Sequence, residues 1–161
     1  MKKLVVFYSA SGNTEIVAKT IAKDLKADLC RLEEIRKRSR FLTFLVGSFA
    51  EMRGKCIDIK PVEFNVHNYD LILLGSPIWA SKPVPAINTF IRNTDLKNKE
   101  VITFLTMGGT GYEKATNNMT MKIEKSLGKV IDSFGVRATR NSDAIVKETK
   151  KAIKSHLKHL D

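Results

Sequence analysis

The sequence predicts an α/β fold of three layers, a five-stranded parallel sheet with helices on both faces. Short apolar runs alternate with stretches of helical periodicity along the whole 161-residue chain. The central runs carry almost no polar alternation, as suits strands covered on both faces. Right-handed crossovers then follow from strand and helix handedness. The length fits one domain, 1–161, with no internal repeat and no linker.

Leu4-Val5-Val6-Phe7-Tyr8 marks the first strand, over residues 3–8. Val17, Ala18, Ile21, Ala22 and Leu25 recur at helical spacing and place a helix over 14–26. A short strand follows at 28–32. Phe41, Leu42, Phe44, Leu45, Phe49 and Met52 predict a further helix over about 37–53, ended by Gly54 and then Pro61. Residues 56–68 read as irregular. The run 69–75 is a buried strand that Pro77 is expected to stop, and a helix follows over 85–92. Val101-Ile102-Thr103-Phe104-Leu105-Thr106 is the next buried strand. A helix over 113–134, with Gly128 as a weak point, leads to a last strand at 136–140. The final helix, 145–160, pairs an apolar face with a Lys-rich one.

Lys and Arg number 28 against 17 Asp and Glu, a formal net charge of +11. This favours an acidic partner, a polyanion or an anionic ligand over a neutral one, or else a solvated basic surface. No apolar run approaches the roughly 20 residues of a membrane helix. The basic start leads into too short an apolar stretch for a signal peptide, so a soluble, cytoplasmic protein is expected. Cys30 and Cys56 lack metal-ligand spacing and read as free, buried thiols. His67, His156 and His159 read as surface residues away from the candidate site. No catalytic acid–base pair, no Ser-His-Asp set and no metal cluster emerges.

In an open parallel sheet, ligands sit beyond the carboxyl ends of the strands. Three loops at such ends have ligand-like composition. The first is Ser9-Ala10-Ser11-Gly12-Asn13-Thr14, between strand and helix. Its backbone N–H groups and small hydroxyls, with a helix N-terminus behind them, suit a phosphate. Gly12 permits close backbone approach. The turn has no Lys or Arg, so neutral donors would hold the anion. It matches neither GxxxxGK[ST] nor GxGxxG, and an ordinary capped turn has the same composition. The second loop, Ser76-Pro77-Ile78-Trp79-Ala80-Ser81-Lys82-Pro83, holds the chain's single Trp between two prolines. Trp79 reads as a stacking surface for a flat ring, or as a protein contact or half-buried residue. The third, Thr106-Met107-Gly108-Gly109-Thr110-Gly111-Tyr112, offers small residues for backbone contact with a planar edge. Tyr112 reads as a second aromatic wall or as a surface residue.

Together the three loops resemble the flavodoxin family over nearly all of the chain. The family's phosphate pattern, Ser/Thr-x-Ser/Thr-Gly-x-Thr, is met by residues 9–14. Residues 74–80 resemble its second flavin loop and 106–112 its third. The resemblance implies bound FMN and a flavodoxin-like strand order 2-1-3-4-5. By that resemblance Ser9, Ser11, Asn13 and Thr14, with backbone of Ala10 and Gly12, hold the phosphate. Pro77, Ile78, Trp79 and Ala80 line the ring, and Thr106, Met107, Gly108, Gly109 and Tyr112 border the pyrimidine edge and ribityl chain.

Electron-carrying members are usually acidic, whereas this chain is strongly basic, and its 37–53 stretch is longer than a simple carrier's connection. Three functions follow: an FMN-dependent electron carrier, an NAD(P)H-dependent reductase of quinones or other small acceptors, and a basic non-redox binding module. Arg36-Lys37-Arg38-Ser39-Arg40 and the last helix favour the third only weakly, and no nucleic-acid motif accompanies them. Lys82 and Arg53 are the expected rim for an acidic redox partner such as a ferredoxin.

Overall fold

The computed structural model describes residues 1–35 and 56–160. Its elements are β1 (Lys3–Phe7), α1 (Asn13–Leu25), β2 (Asp28–Arg31), β3 (Leu71–Trp79), β4 (Lys82–Pro83), α2 (Pro85–Asn93), β5 (Glu100–Met107), α3 (Tyr112–Lys125), β6 (Lys129–Arg137) and α4 (Ser142–Ala152). The parallel strands run in the order β2-β1-β3-β5-β6, and β4 pairs antiparallel with the end of β3. With the short β4 set aside, this is the order 2-1-3-4-5.

Side-chain alternation divides the interior in two. Leu4 and Val6 of β1, Ile72 and Leu74 of β3, and Val101 and Leu105 of β5 face α2 and α3. Val5, Phe7, Leu71, Leu73, Ile102 and Phe104 face α1 and α4. Each large side chain fully buried this way contributes about 1.5–3 kcal/mol relative to exposure. Gly75 marks a close approach: a Cβ there would lie 2.1 Å from the ring of its cross-strand partner Phe104.

The structure moves several expected boundaries. β3 runs through Pro77 to Trp79 instead of stopping before the proline. Pro77 falls at the last register position against β5, opposite Thr106, where a missing N–H costs little. α3 ends at Lys125, well short of 134. Leu127 adopts a left-handed φ of 61°, and Gly128 returns its N–H to Ile123 O at 3.0 Å, closing the helix. Residues 129–137 then form β6, whose bulge opposite Val101/Ile102 and polar Asp132 and Ser133 mask its strand pattern. α4 starts at Ser142, three residues early, because Asn141 Oδ1 accepts the N–H groups of Asp143 and Ala144. It continues through a wider π turn at Ile153–Leu157 and a 3₁₀ turn at Lys158–Leu160. The expected helix over 37–53, with Arg53 and the run 36–40, lies outside the described residues. Among those described, no helix is long and apolar enough to cross a membrane.

Candidate functional site

All three loops leave the same edge of the sheet, after β1, β3 and β5. In the first, Ser9 is buried and its Oγ accepts the N–H groups of Gly12 at 3.1 Å and Glu15 at 3.3 Å. Gly12 precedes α1 with φ of 94°, a left-handed geometry that favours glycine, and supplies no side-chain cap. Ala10 and Ser11 are exposed and Asn13 is half-buried. Thr14 turns inward: it is 2% exposed, and its Oγ1 lies 2.7 Å from Thr106 Oγ1. A hydroxyl pair therefore joins the first loop to the third.

In the second loop Ser76 is fully buried. Its hydroxyl donates to Pro77 O at 2.8 Å and accepts the Val84 N–H at 3.1 Å, bracing the hairpin from beneath. Trp79 pairs with Lys82 across a two-residue turn. Ala80 and Ser81 both have positive φ, 48° and 61°, as a type I′ hairpin requires. Neither is the Asn or Gly that usually marks such a turn, so this hairpin escaped notice in the sequence. Trp79 is partly exposed and meets Tyr8 edge-to-face, with ring centroids 6.1 Å apart and planes at 88°. The Tyr8 hydroxyl donates to Glu34 Oε1 at 2.8 Å. Burial, and then the Glu34 carboxylate, push this phenol well above its ordinary range, so it remains a neutral donor.

The third loop touches the second. Gly111 has φ of 99°, and a Cβ there would stand 2.5 Å from Ser81 Oγ. Gly108 and Gly109 are exposed, with open space where a Cβ would project. Met107 and Tyr112 lean away from the other loops: a Cβ on Gly135 of β6 would meet Met107 Cε at 2.3 Å and the Tyr112 ring at 3.0 Å. Tyr112 is therefore seated against the sheet end, and burial raises its pKa.

The structure places the three loops at the carboxyl ends of β1, β3 and β5, joined by the Thr14–Thr106 hydroxyl pair and the Gly111–Ser81 contact. Ser11, Ala80, Gly108 and Gly109 are exposed and Asn13 is half-buried, whereas Ser9, Thr14 and Thr106 are buried. Tyr8, Ser76 and Arg31 were missed. Arg31 ends β2 in register with Phe7, which places it beside the turn that follows β1. Its Nη2 donates to Ser9 O at 3.3 Å and its Nη1 to Glu15 Oε2 at 2.8 Å. The signal was the parallel pairing of β1 and β2, not any local motif.

The residues outside the loops fall as follows. His67 is exposed. His156 keeps a side chain that is 37% exposed, as expected of a surface residue, but it is engaged on one side. It is partly buried, its Nδ1 lies 3.0 Å from Asp132 Oδ2, and its ring stacks on Phe134 at 5.4 Å. Cys30 is buried and Cys56 only half-buried, and both are free.

The edge offers backbone N–H groups at a helix start, small hydroxyls, open glycines and an indole. Such a set fits a phosphate-bearing planar ligand: Gly12 and the exposed Ser11 leave the start of α1 accessible, and Gly108 and Gly109 leave room for a flat edge. A parallel sheet in the order 2-1-3-4-5, with its site where the order reverses, defines the class of doubly wound α/β nucleotide-type folds. Residues 2–139 match the family model described as Flavodoxin, and the chain belongs to that family.

The fold is shared with a flavoprotein of Lactobacillus acidophilus NCFM solved in complex with FMN. That match has 24% identity and a TM-score of 0.73, covering 83% of this chain and 92% of that one. A putative flavoprotein of Bacteroides uniformis gives 21% identity and a TM-score of 0.77, covering 92% and 97%. Oxidised flavodoxin 2 of Bacillus cereus gives 19% and 0.64, covering 99% of each chain. No curated protein matches.

Proposed function

We propose that this chain binds FMN and acts as a flavodoxin-type electron carrier. The observation that carries the proposal is the convergence of three loops of ligand-like composition, tied by the Thr14–Thr106 hydroxyl pair and the Ser81–Gly111 contact. Bound FMN supplies one- and two-electron transfer at its ring. The chain's part is to bind, orient and shield. The start of α1 and the Ser11 hydroxyl hold the phosphate, and Ser9 shapes the turn from within. Trp79, stiffened by the Ser76-braced hairpin, covers ring surface. Gly108 and Gly109 let backbone meet the ring's polar edge.

One observation favours the reductase reading. A carrier with only its ring edge exposed needs a second aromatic wall, and Tyr112, the expected one, is seated against Gly135 of β6. Purification and reduction separate the two. The carrier reading expects a yellow protein that releases flavin fluorescence on denaturation, with Trp79 emission quenched until FMN leaves. It also expects no bleaching under anaerobic NADH or NADPH alone. Rapid bleaching by either nucleotide assigns a reductase, and a colourless protein with unquenched Trp79 after incubation with FMN removes the flavin.

A further inference from the structure

We propose that Arg31 is a specificity-determining residue for the flavin phosphate, with Glu15 setting how strongly its charge is felt; this rests on the FMN reading. The 9–14 turn contains no cation of its own. Among the described residues, Arg31 is the cation whose side chain touches it, through Nη2 on Ser9 O at 3.3 Å. The same guanidinium is held by Glu15 Oε2 at 2.8 Å, and Lys19 Nζ takes Glu15 Oε1 at 2.7 Å. One carboxylate in the first turn of α1 is therefore shared by two cations. The Lys19 hydrogen bond and the Arg31 charge hold Glu15 below the usual carboxylate range, so it is ionised at neutral pH.

This geometry has a chemical consequence. Two bonds leave N–H donors of the planar guanidinium fork over, and the fork matches phosphate oxygens. The guanidinium is also about half-exposed, so its remaining donors are open to an incoming anion. Neutral donors alone discriminate weakly between a phosphate and the hydroxyl it replaces. A guanidinium adds attraction for the dianion only. The ratio of FMN to riboflavin affinity therefore reports Arg31, and Glu15 lowers that ratio by competing for the same fork.

Fluorescence titration of the flavin-free chain with FMN and with riboflavin, at low and physiological salt, tests this. Arg31→Met should weaken FMN about tenfold, the size of one charge-assisted contact, while riboflavin changes by less than about twofold. Arg31→Lys should restore part of the lost ratio. Glu15→Gln should tighten FMN several-fold in the native background and by much less beside Arg31→Met. Equal loss of both flavins in Arg31→Met would overturn the proposal, since Arg31 would then only prop the Ser9 carbonyl. Unchanged FMN affinity, or equal gains from Glu15→Gln in both backgrounds, would overturn it as well. A native chain that binds neither flavin overturns the cofactor reading itself, whereas a native chain that binds FMN lets the variants judge Arg31 alone.

Discussion

Replacing Thr14 and Thr106 with valine, singly and together, tests how the first and third loops are joined. Their hydroxyls are 2.7 Å apart, and the residues are 2% and 4% exposed. Valine keeps the volume and branching of threonine, so a single change removes one polar partner and leaves the other buried. That orphaned hydroxyl costs about 1–3 kcal/mol, whereas removing both leaves two methyl groups in contact and is close to neutral. Each single variant should therefore lose about 1–2 kcal/mol, and the double variant much less than their sum. Urea unfolding of the flavin-free chain, followed by circular dichroism, gives these values provided the slope with denaturant is unchanged. Strictly additive losses would refute the hydroxyl pair. The same series separates two roles in the turn. Ser11→Ala should weaken FMN and spare riboflavin, while Thr14→Val should shift both flavins together, because Thr14 faces the sheet.

Gly111→Ala should destabilise the chain by roughly 1–3 kcal/mol and loosen the flavin, since φ of 99° and the Ser81 contact both oppose a Cβ; an unchanged melting temperature would contradict the contact. Burial, and then Glu63, push the Cys30 thiol from 9.0 up to about 11. Because the folded value lies above the unfolded one, the stabilisation is complete below pH 9 and is lost as pH rises towards 11. Roughly 2 kcal/mol should disappear over that window; Cys30→Ala should flatten this part of the pH–stability curve, and an unaltered slope would refute it. In a thiol assay Cys56 should react in the native state and Cys30 only after unfolding. Lys82→Glu should slow electron transfer to an acidic partner and reduce its salt dependence without altering FMN affinity, since rim charges act on association; unchanged rates would return Lys82 to plain solvation.

The sheet order and the three loops were legible because buried parallel strands read as bare apolar runs and their carboxyl-end loops differ in composition. Three kinds of feature were not. The first part of β6, up to residue 134, reads as a continuation of the preceding helix because the connection at Ser126-Leu127-Gly128 is short and the strand carries Asp132 and Ser133. The β3–β4 hairpin was hidden by Ala80 and Ser81, residues that seldom adopt left-handed geometry. Arg31 comes beside the 9–14 turn only through the pairing of β2 with β1, since sixteen residues separate it from Glu15 in the chain. Local chemistry could name the loops, but the direction each hydroxyl faces depends on partners contributed by other strands. Thr14 shows this: its position in the motif suggests a ligand, and only the fold reveals that its hydroxyl also meets Thr106.

The sheet separates two apolar interiors, and the candidate site lies across its rim with one foot on each. α1, which starts at the 9–14 turn, rests on one interior; the hairpin bearing Trp79 and the helix behind Gly111 rest on the other. Neither layer alone can keep the three loops in place, so loosening either one should release the ligand. Conversely, a bound flavin would act as a clasp across both layers and raise the temperature at which they part.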